Sequence, residues 1–310
     1  MNLSSSLTIS LVIPTYNREQ VLIDTISYLI QETQTLDNFQ EFLIIDQTSR
    51  HEESVESQLQ SWHSQGLIKW IRLTEPNLTK AMNEGLTQAT GDIVLFTDDD
   101  IIPAPNLIKN HLNAHSSHPE VTAVVGQVLQ PGQSPEDLPY QPRGNTLFRY
   151  LDFPFRSIHS CFVENVMAGN LSVNRQKVLA LGGFDEAFSP PVASRFETEF
   201  AKRVIANGGK IWFESTASIK HLQAKSGGTR SQGSHLNSAS PIYGVGDYYY
   251  ALRQGRGWER IWYILRKPFR EVRTKYHLTH PWWIIPKLIG EMRAFSQACQ
   301  LASRPPQLLK

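Results

Sequence analysis

"VLFTDDDIIP", residues 94–103, runs from an apolar stretch into three consecutive carboxylates and back into apolar residues before Pro103 stops it. The apolar half reads as a buried strand, which puts the acids at a strand's carboxyl end, where loops of an open parallel sheet converge on ligands. Repulsion between neighbouring carboxylates raises their pKa values unless a cation compensates. In extended backbone Asp98 and Asp100 point to one side and Asp99 to the other, so the outer two can share a site. Hard carboxylate oxygens suit Mg²⁺ or Mn²⁺, typically with phosphate oxygens completing the shell. The competing reading is a solvated acidic turn.

Working outward, the same strand-to-helix change of period recurs. "LTISLVIP" (7–14) is followed by "REQVLIDTISYLIQE", "EFLIID" (41–46) by "HEESVESQLQSWH", "GLIKWIRL" (66–73) by "NLTKAMNEGLTQA", and "DIVLF" (92–96) by "APNLIKNHLNAH". Strands alternating with helices over some 120 residues predict a mostly parallel sheet flanked by helices. Pro14 to Asn17, Asp46 and the triplet all fall at strand ends. Beyond them, "TAVVGQVLQP" reads as a strand, "GQSPEDLPYQPRGN" as a loop, "NRQKVLALGGF" and "ETEFAKRVIANGG" as helices closed by glycine, and "KIWFESTASIKHL" as two short strands. His111 and His115 sit four apart on a helix, with no acid or third histidine beside them, and are expected on a solvated face. Cys161 is expected to be a small buried residue.

Thirty Lys and Arg against 29 Asp and Glu in 310 residues predict no nucleic-acid partner. The distribution is uneven: residues 251–310 hold twelve Lys/Arg and three Asp/Glu. Two cysteines far apart suggest neither a disulfide framework nor a zinc site. No apolar run reaches membrane-spanning length, and the expected location is the cytoplasm.

In order and spacing, "LVIPTYNR", "IIDQTS", "NLTKAMNEGL…ATGDIVLFTDDDIIP" and "AGNLSVNR…LGGFDEAF" resemble the inverting family 2 glycosyltransferases with the GT-A fold, a Rossmann-like nucleotide-diphospho-sugar transferase architecture. The resemblance covers roughly residues 8–225. It implies a nucleotide-sugar donor, a UDP-sugar by family frequency, and a glycan or lipid-linked acceptor in polysaccharide biosynthesis. It also assigns roles. Pro14, Thr15, Tyr16 and Asn17 would hold the base, and Asp46 would accept a hydrogen bond from base or ribose. Asp98 and Asp99 would lie against the donor, with Asp98, Asp100 and His221 as ligands of a Mn²⁺ or Mg²⁺ ion. Lys80 would approach a phosphate, its alternative being an exposed helical lysine. Lys225 and Arg230, on a glycine-rich loop that closes over the donor, would meet phosphate oxygens.

Relatives supply the general base from an acidic pair opening a helix. Here Phe196 takes the place of the glutamate and Glu197 that of the catalytic aspartate, so Glu197 is the expected base; the alternative is a first-turn acid favoured by the helix dipole. Asp185 is the weaker rival. Expected boundaries are a catalytic domain at 1–225, a mobile lid or linker at 226–250 and a basic, aromatic, helical extension at 251–310. That extension suits an anionic membrane interface on the inner face of the membrane, or packing on the catalytic domain or on a partner. Two other functions fit parts of the pattern. One is a non-catalytic GT-A-fold protein that binds glycan or nucleotide; the other is a nucleotidyltransferase, against which stands the lack of a Gly-rich triphosphate loop after the first strand.

Overall fold

The computed structural model describes residues 7–140, 147, 153–188, 194–224, 226–228 and 235–310. At its centre β1 (Ile9–Thr15) is buried between two parallel neighbours, β2 (Phe39–Asp46) and β4 (Ile93–Thr97), with β3 (Lys69–Arg72) outside β2. Parallel neighbours need crossovers, and α1 (Gln20–Thr33), α2 (Glu53–Ser64) and α3 (Leu78–Gln88) provide them. Alternation along β1 feeds two cores: Val12 packs with Leu43, Met82 and Phe96 on one face, and Leu11 and Ile13 with Leu22, Ile26 and Ile44 on the other.

Beyond β4 the sheet becomes mixed. β8 (Asn170–Asn174) lies antiparallel between β4 and β6 (Val121–Leu129), and β9 (Lys210–His221) runs parallel to β6. The free side of β9 takes β7 (Cys161–Val163) near its start and β5 (Ile101–Pro103) at its end, both antiparallel. The stretch expected to form two strands is therefore one strand with a break in register, where Gly126 pairs with Glu214 and Gln127 with Ser218. The Glu214 carboxylate holds the break by accepting from the Thr216 N–H and hydroxyl. Cys161 is half-buried, because β7 lies on the open side of β9.

α4 (Leu107–Ser117) corrects a second expectation. His111 and His115 are buried, facing the sheet with Ile108 and Leu112. The His111 ring bonds the Ser172 hydroxyl and the Asn170 side-chain carbonyl at 2.8 Å each, and His115 Nε2 bonds the same hydroxyl at 2.9 Å. Helical spacing is shared by both readings; the polar partners that make burial tolerable lie about 60 residues away on β8.

α5 (Arg175–Ala180) and α6 (Phe196–Ala206) complete the body. The extension is helical: α7 (Val245–Gln254), α8 (Gly257–Val272), α9 (Lys275–Thr279) and α10 (Ile284–Ala302). α7 begins inside the stretch read as linker and buries Tyr248, Tyr249 and Tyr250. The last residues turn back onto the body, the Leu309 N–H donating to Gly182 O at 2.8 Å and Gln307 O accepting from the Glu186 N–H at 3.0 Å. Among the described residues no helix is long and apolar enough to cross a membrane.

Burial lowers the pKa of His111 to about 4 and that of His115 to about 3. Both are ordinary in the unfolded chain, near 6.5. The unfolded state therefore binds protons first as pH falls below 6.5, and stability is lost progressively from there towards pH 4. Urea unfolding should show a loss of a few kcal/mol over that interval, and His115→Gln should flatten it.

Candidate functional site

The ends of β1, β4 and β9 meet. Asp100 stands directly before β5, and the pairing of Ile101 with His221 brings that histidine beside it. His221 Nε2 lies 3.1 Å from Asp100 Oδ1 and 3.6 Å from Asp98 Oδ2, while its Nδ1 contacts Gln130 Oε1 at 3.0 Å. One ligand atom from each of Asp98, Asp100 and His221 can be chosen so that all lie within 4.8 Å of one another. Two carboxylate oxygens and an imidazole nitrogen form a donor set that fits Mn²⁺ or Mg²⁺, with Asp98 half-exposed as the opening towards solvent. Burial works against the Asp100 carboxylate, but hydrogen bonds from His221 and from the Ala224 N–H hold its pKa below the ordinary value.

Asp99 shares the cavity and the Arg18 guanidinium with Asp100, because residues 99 and 100 form a bend and do not alternate as extended backbone would. It is buried, accepts from the Thr15 hydroxyl at 2.7 Å and from Arg18 Nε at 3.0 Å, and desolvation still pushes its pKa up to about 6. Arg18, absent from the sequence-based assignment, is the hub. It is almost fully buried, and its guanidinium also approaches Asp100 Oδ2 at 3.4 Å and donates to the carbonyls of Ala224 and Ser226. Its only signal was a basic residue directly after "PTYN". Arg18 thereby fastens the start of the glycine-rich loop. The Gly228 N–H donates to Tyr16 O at 2.7 Å, and Gly227, at φ +78°, lies so close to Asn17 that a Cβ would stand 2.0 Å from its carbonyl oxygen. Lys225 and Arg230 lie outside the described residues.

Pro14, Thr15 and Tyr16 line a cavity of about 150 Å³ together with Asp98, Asp100 and His221. Asn17 is tied to the neighbouring strand end, its N–H donating to Thr48 Oγ1 at 2.9 Å. Asp46 is fully buried, with Oδ2 accepting from Trp70 Nε1 at 2.9 Å and facing His51 Nε2 at 2.8 Å, and Oδ1 accepting from the Thr48 N–H. Asp46 thus shapes the loop that follows β2. Burial disfavours charge on His51, but Asp46 and Glu19 on its two sides outweigh it and raise its pKa. Lys80 lies on α3, half-exposed and 3.8 Å from Glu75.

Glu197 opens α6. Its Oε1 accepts from the Ala168 N–H at 2.5 Å. The next residue, Gly169, accepts from the Asp98 N–H at 3.2 Å and lies so close to that side chain that a Cβ would stand 2.1 Å from Asp98 Oδ2. One dipeptide therefore holds both the acid cluster and Glu197. Desolvation, with a smaller contribution from the Asp98 charge, pushes the Glu197 carboxyl up to about 7 against the Ala168 hydrogen bond and the Arg195 charge. The preceding Phe196 is buried against Phe184, its ring centroid 6.4 Å away. Asp185 is committed elsewhere, accepting from the Ala187 and Gln307 N–H groups and from the Tyr249 hydroxyl.

This sheet order with an acid cluster at the β4 end is the GT-A fold. The structure superposes on S. aureus TarS 1-349 in complex with UDP-GlcNAc with a TM-score of 0.60 and 16% identity, covering 94% of this chain and 81% of that one. For GalNAc-T7 with UDP, GalNAc and Mn²⁺ the TM-score is 0.58 and the identity 17%, over 89% and 58% of the two chains. The chain belongs to glycosyl transferase family 2, whose model matches residues 10–179, more than half its length. It is 30% identical over 109 residues to the uncharacterized glycosyltransferase YfnE of Bacillus subtilis (strain 168), covering 35% of this chain and 27% of that protein. It is 24% identical over 208 residues to validoxylamine A glucosyltransferase of Streptomyces hygroscopicus subsp. jinggangensis (strain 5008), covering 58% and 48%. The chain thus spans about half or less of the curated relatives it matches.

Removing Arg18 leaves Asp99 and Asp100, both buried, without the guanidinium they share. Arg18→Ala should cost on the order of 3–5 kcal/mol of unfolding free energy in urea titrations. Arg18→Lys, which keeps the charge and loses the fork, should recover part of that loss.

Proposed function

We propose that this chain is a metal-dependent, inverting glycosyltransferase that moves a sugar from a nucleotide-sugar donor to a hydroxyl acceptor. The observation that carries the reading is the Ala168–Gly169 dipeptide, which sets a carboxylate of proton-accepting pKa beside an acid and histidine cluster suited to a diphosphate-bound cation. Asp98, Asp100 and His221 would hold Mn²⁺ or Mg²⁺, which when bound supplies Lewis-acid neutralisation of charge on the departing diphosphate. Pro14, Thr15, Tyr16 and Asn17 would bind the nucleotide, Asp46 would shape its site from behind, and the loop carrying Lys225 and Arg230 would cover the phosphates.

Glu197 would accept the proton of the acceptor hydroxyl as its oxygen forms a bond to the anomeric carbon. The bond from that carbon to the diphosphate oxygen breaks, its electron pair leaves with the nucleoside diphosphate, and the configuration inverts. A group with a pKa near 7 serves as base at neutral pH without being so weak that transfer stalls. UDP is the default nucleotide, in keeping with UDP-GlcNAc in the TarS structure and UDP in the GalNAc-T7 structure, although the structure of the mannosyltransferase PcManGT holds GDP-Man. The acceptor would be a glycan or a lipid-linked saccharide of a polysaccharide pathway, met on the cytoplasmic side of a membrane.

Phe196 supports a second reading. Where the resembled family carries an acid, this chain has a core side chain, as expected of a non-catalytic protein that binds nucleotide or glycan.

Glu197→Gln separates the two. Transfer should fall by about 10²–10⁴ with nucleotide affinity unchanged, whereas the binding protein would show no turnover to lose. Because the base acts deprotonated, kcat/KM of the wild type should rise with pH through about 7 and then level off.

Calorimetric titration with UDP, GDP and dTDP should give micromolar binding of one nucleotide only when Mn²⁺ is present. The Asp98→Ala/Asp100→Ala variant should lose that binding, and metal-independent binding would overturn the metal role.

A further inference from the structure

α8 is built inside out. At 100° per residue, Trp258, Ile261, Trp262, Leu265 and Phe269 fall on one stripe about 100° wide. All five are exposed, by 47% to 70%. The opposite side carries Tyr263 and Lys267, both buried. Lys267 Nζ lies 3.4 Å from Asp247, 3.4 Å from Glu271 and 3.6 Å from Glu291, inside the helical extension. α10 repeats the inversion: Lys287 and Glu291 are buried and paired at 3.0 Å, while Ile285, Ile289 and Met292, at i, i+4 and i+7, face out. An ordinary surface helix does the reverse. Here the buried sides carry ion-paired lysines beside Tyr263, Ala294 and Ala298, while the large aliphatic side chains and the tryptophans lie on the surface.

Such a face requires an apolar medium, and the charges around it say which. Arg266, Arg270, Arg273 and Lys275 are exposed on α8 and just beyond it. Glu271 pairs with Lys267 and Lys287 and, at 3.3 Å, with Arg270, and Glu259 accepts from the Leu147 N–H, so both acids of α8 are engaged and Arg266, Arg273 and Lys275 remain as basic charge beyond those pairs. The exposed charge beside the stripe is therefore basic. We propose that the outer face of α8, extended by α10, docks on an anionic lipid bilayer. Trp258 and Trp262 lie at headgroup depth, Leu265 and Phe269 reach the acyl boundary, and the arginines meet lipid phosphates. The inference stands on this face alone and does not depend on the catalytic reading.

The test is co-sedimentation of the full chain with vesicles of phosphatidylcholine, with and without phosphatidylglycerol, at low and high salt. Binding is expected only with phosphatidylglycerol, weakening as salt rises. Trp258→Ser/Leu265→Ser/Phe269→Ser should weaken it at least about tenfold, and Arg266→Ala and Arg273→Ala by about fivefold each. Because these side chains are exposed, circular dichroism and the urea midpoint should stay unchanged, which separates lost binding from lost folding. Equal binding to both vesicle types would overturn the anionic surface. No binding to either, with lipid-free dimers that the apolar triple variant dissolves, would overturn the membrane in favour of a second copy of the chain.

Discussion

Three adjacent carboxylates at one strand end can fold only where positive charge is brought to them, and much of this architecture serves that requirement. Asp99 takes Arg18 from the β1 loop, and Asp100 takes His221 from β9 together with the Ala224 N–H. Each partner comes from a different segment, so compensating the charge also assembles the site. Burial makes the arrangement decisive, since desolvation alone would protonate these acids. Arg18 meets only part of the need. Asp99 remains poised near 6, and Asp98 and Asp100 share one histidine, with Arg18 reaching the buried Asp100. That residual deficit faces the cavity, on the side where a cation would enter.

The parallel β3-β2-β1-β4 half was legible in the sequence because a buried strand followed by an amphipathic helix leaves two distinct periods. Alternation is not what groups Asp98 and Asp100, since residues 99 and 100 form a bend, but both were legible as acids at a strand end. Arg18 was not: its partners lie more than 80 residues away, and nothing local distinguishes it from a solvated arginine. Asp46 could be placed at a strand end, but its engagement by His51 and Trp70 depends on side-chain directions that spacing does not convey. The histidines of α4 failed for a related reason, because a helical period says which residues share a face and not what lies opposite. The tail carried the same ambiguity. Its apolar stripe could be read from the sequence, and only the buried lysines show that it points outward.

The extension is also joined to the site by more than proximity. Arg195, immediately before α6, sits at φ +72°, a conformation that costs a non-glycine residue on the order of 1 kcal/mol. Its guanidinium is held 3.0 Å from Asp247 of α7, whose own pKa the Lys267 and Arg195 charges pull down to about 2 against desolvation. The neighbouring Gly246 lies against Ser194, where a Cβ would stand 2.2 Å from its carbonyl oxygen. The turn that aims Glu197 is therefore braced from the tail side. A second brace is Asp185, clamped by Tyr249 and by the returning chain at Gln307.

These braces change what the expected domain boundaries mean. Residues 251–310 differ from the body in charge and composition, yet Lys267, Asp247 and Arg195 form one continuous ion chain from α8 to the residue that precedes α6. The same lysine that turns the apolar stripe of α8 outward neutralises the aspartate that steadies Arg195. Reversing α8 to bury its apolar face would withdraw Lys267 from Asp247 and leave a buried acid with Arg195 as its remaining cation, a loss comparable to breaking a buried pair. One ionic arrangement thus links the outward apolar face of α8 to the residue on which α6, and with it Glu197, begins its turn.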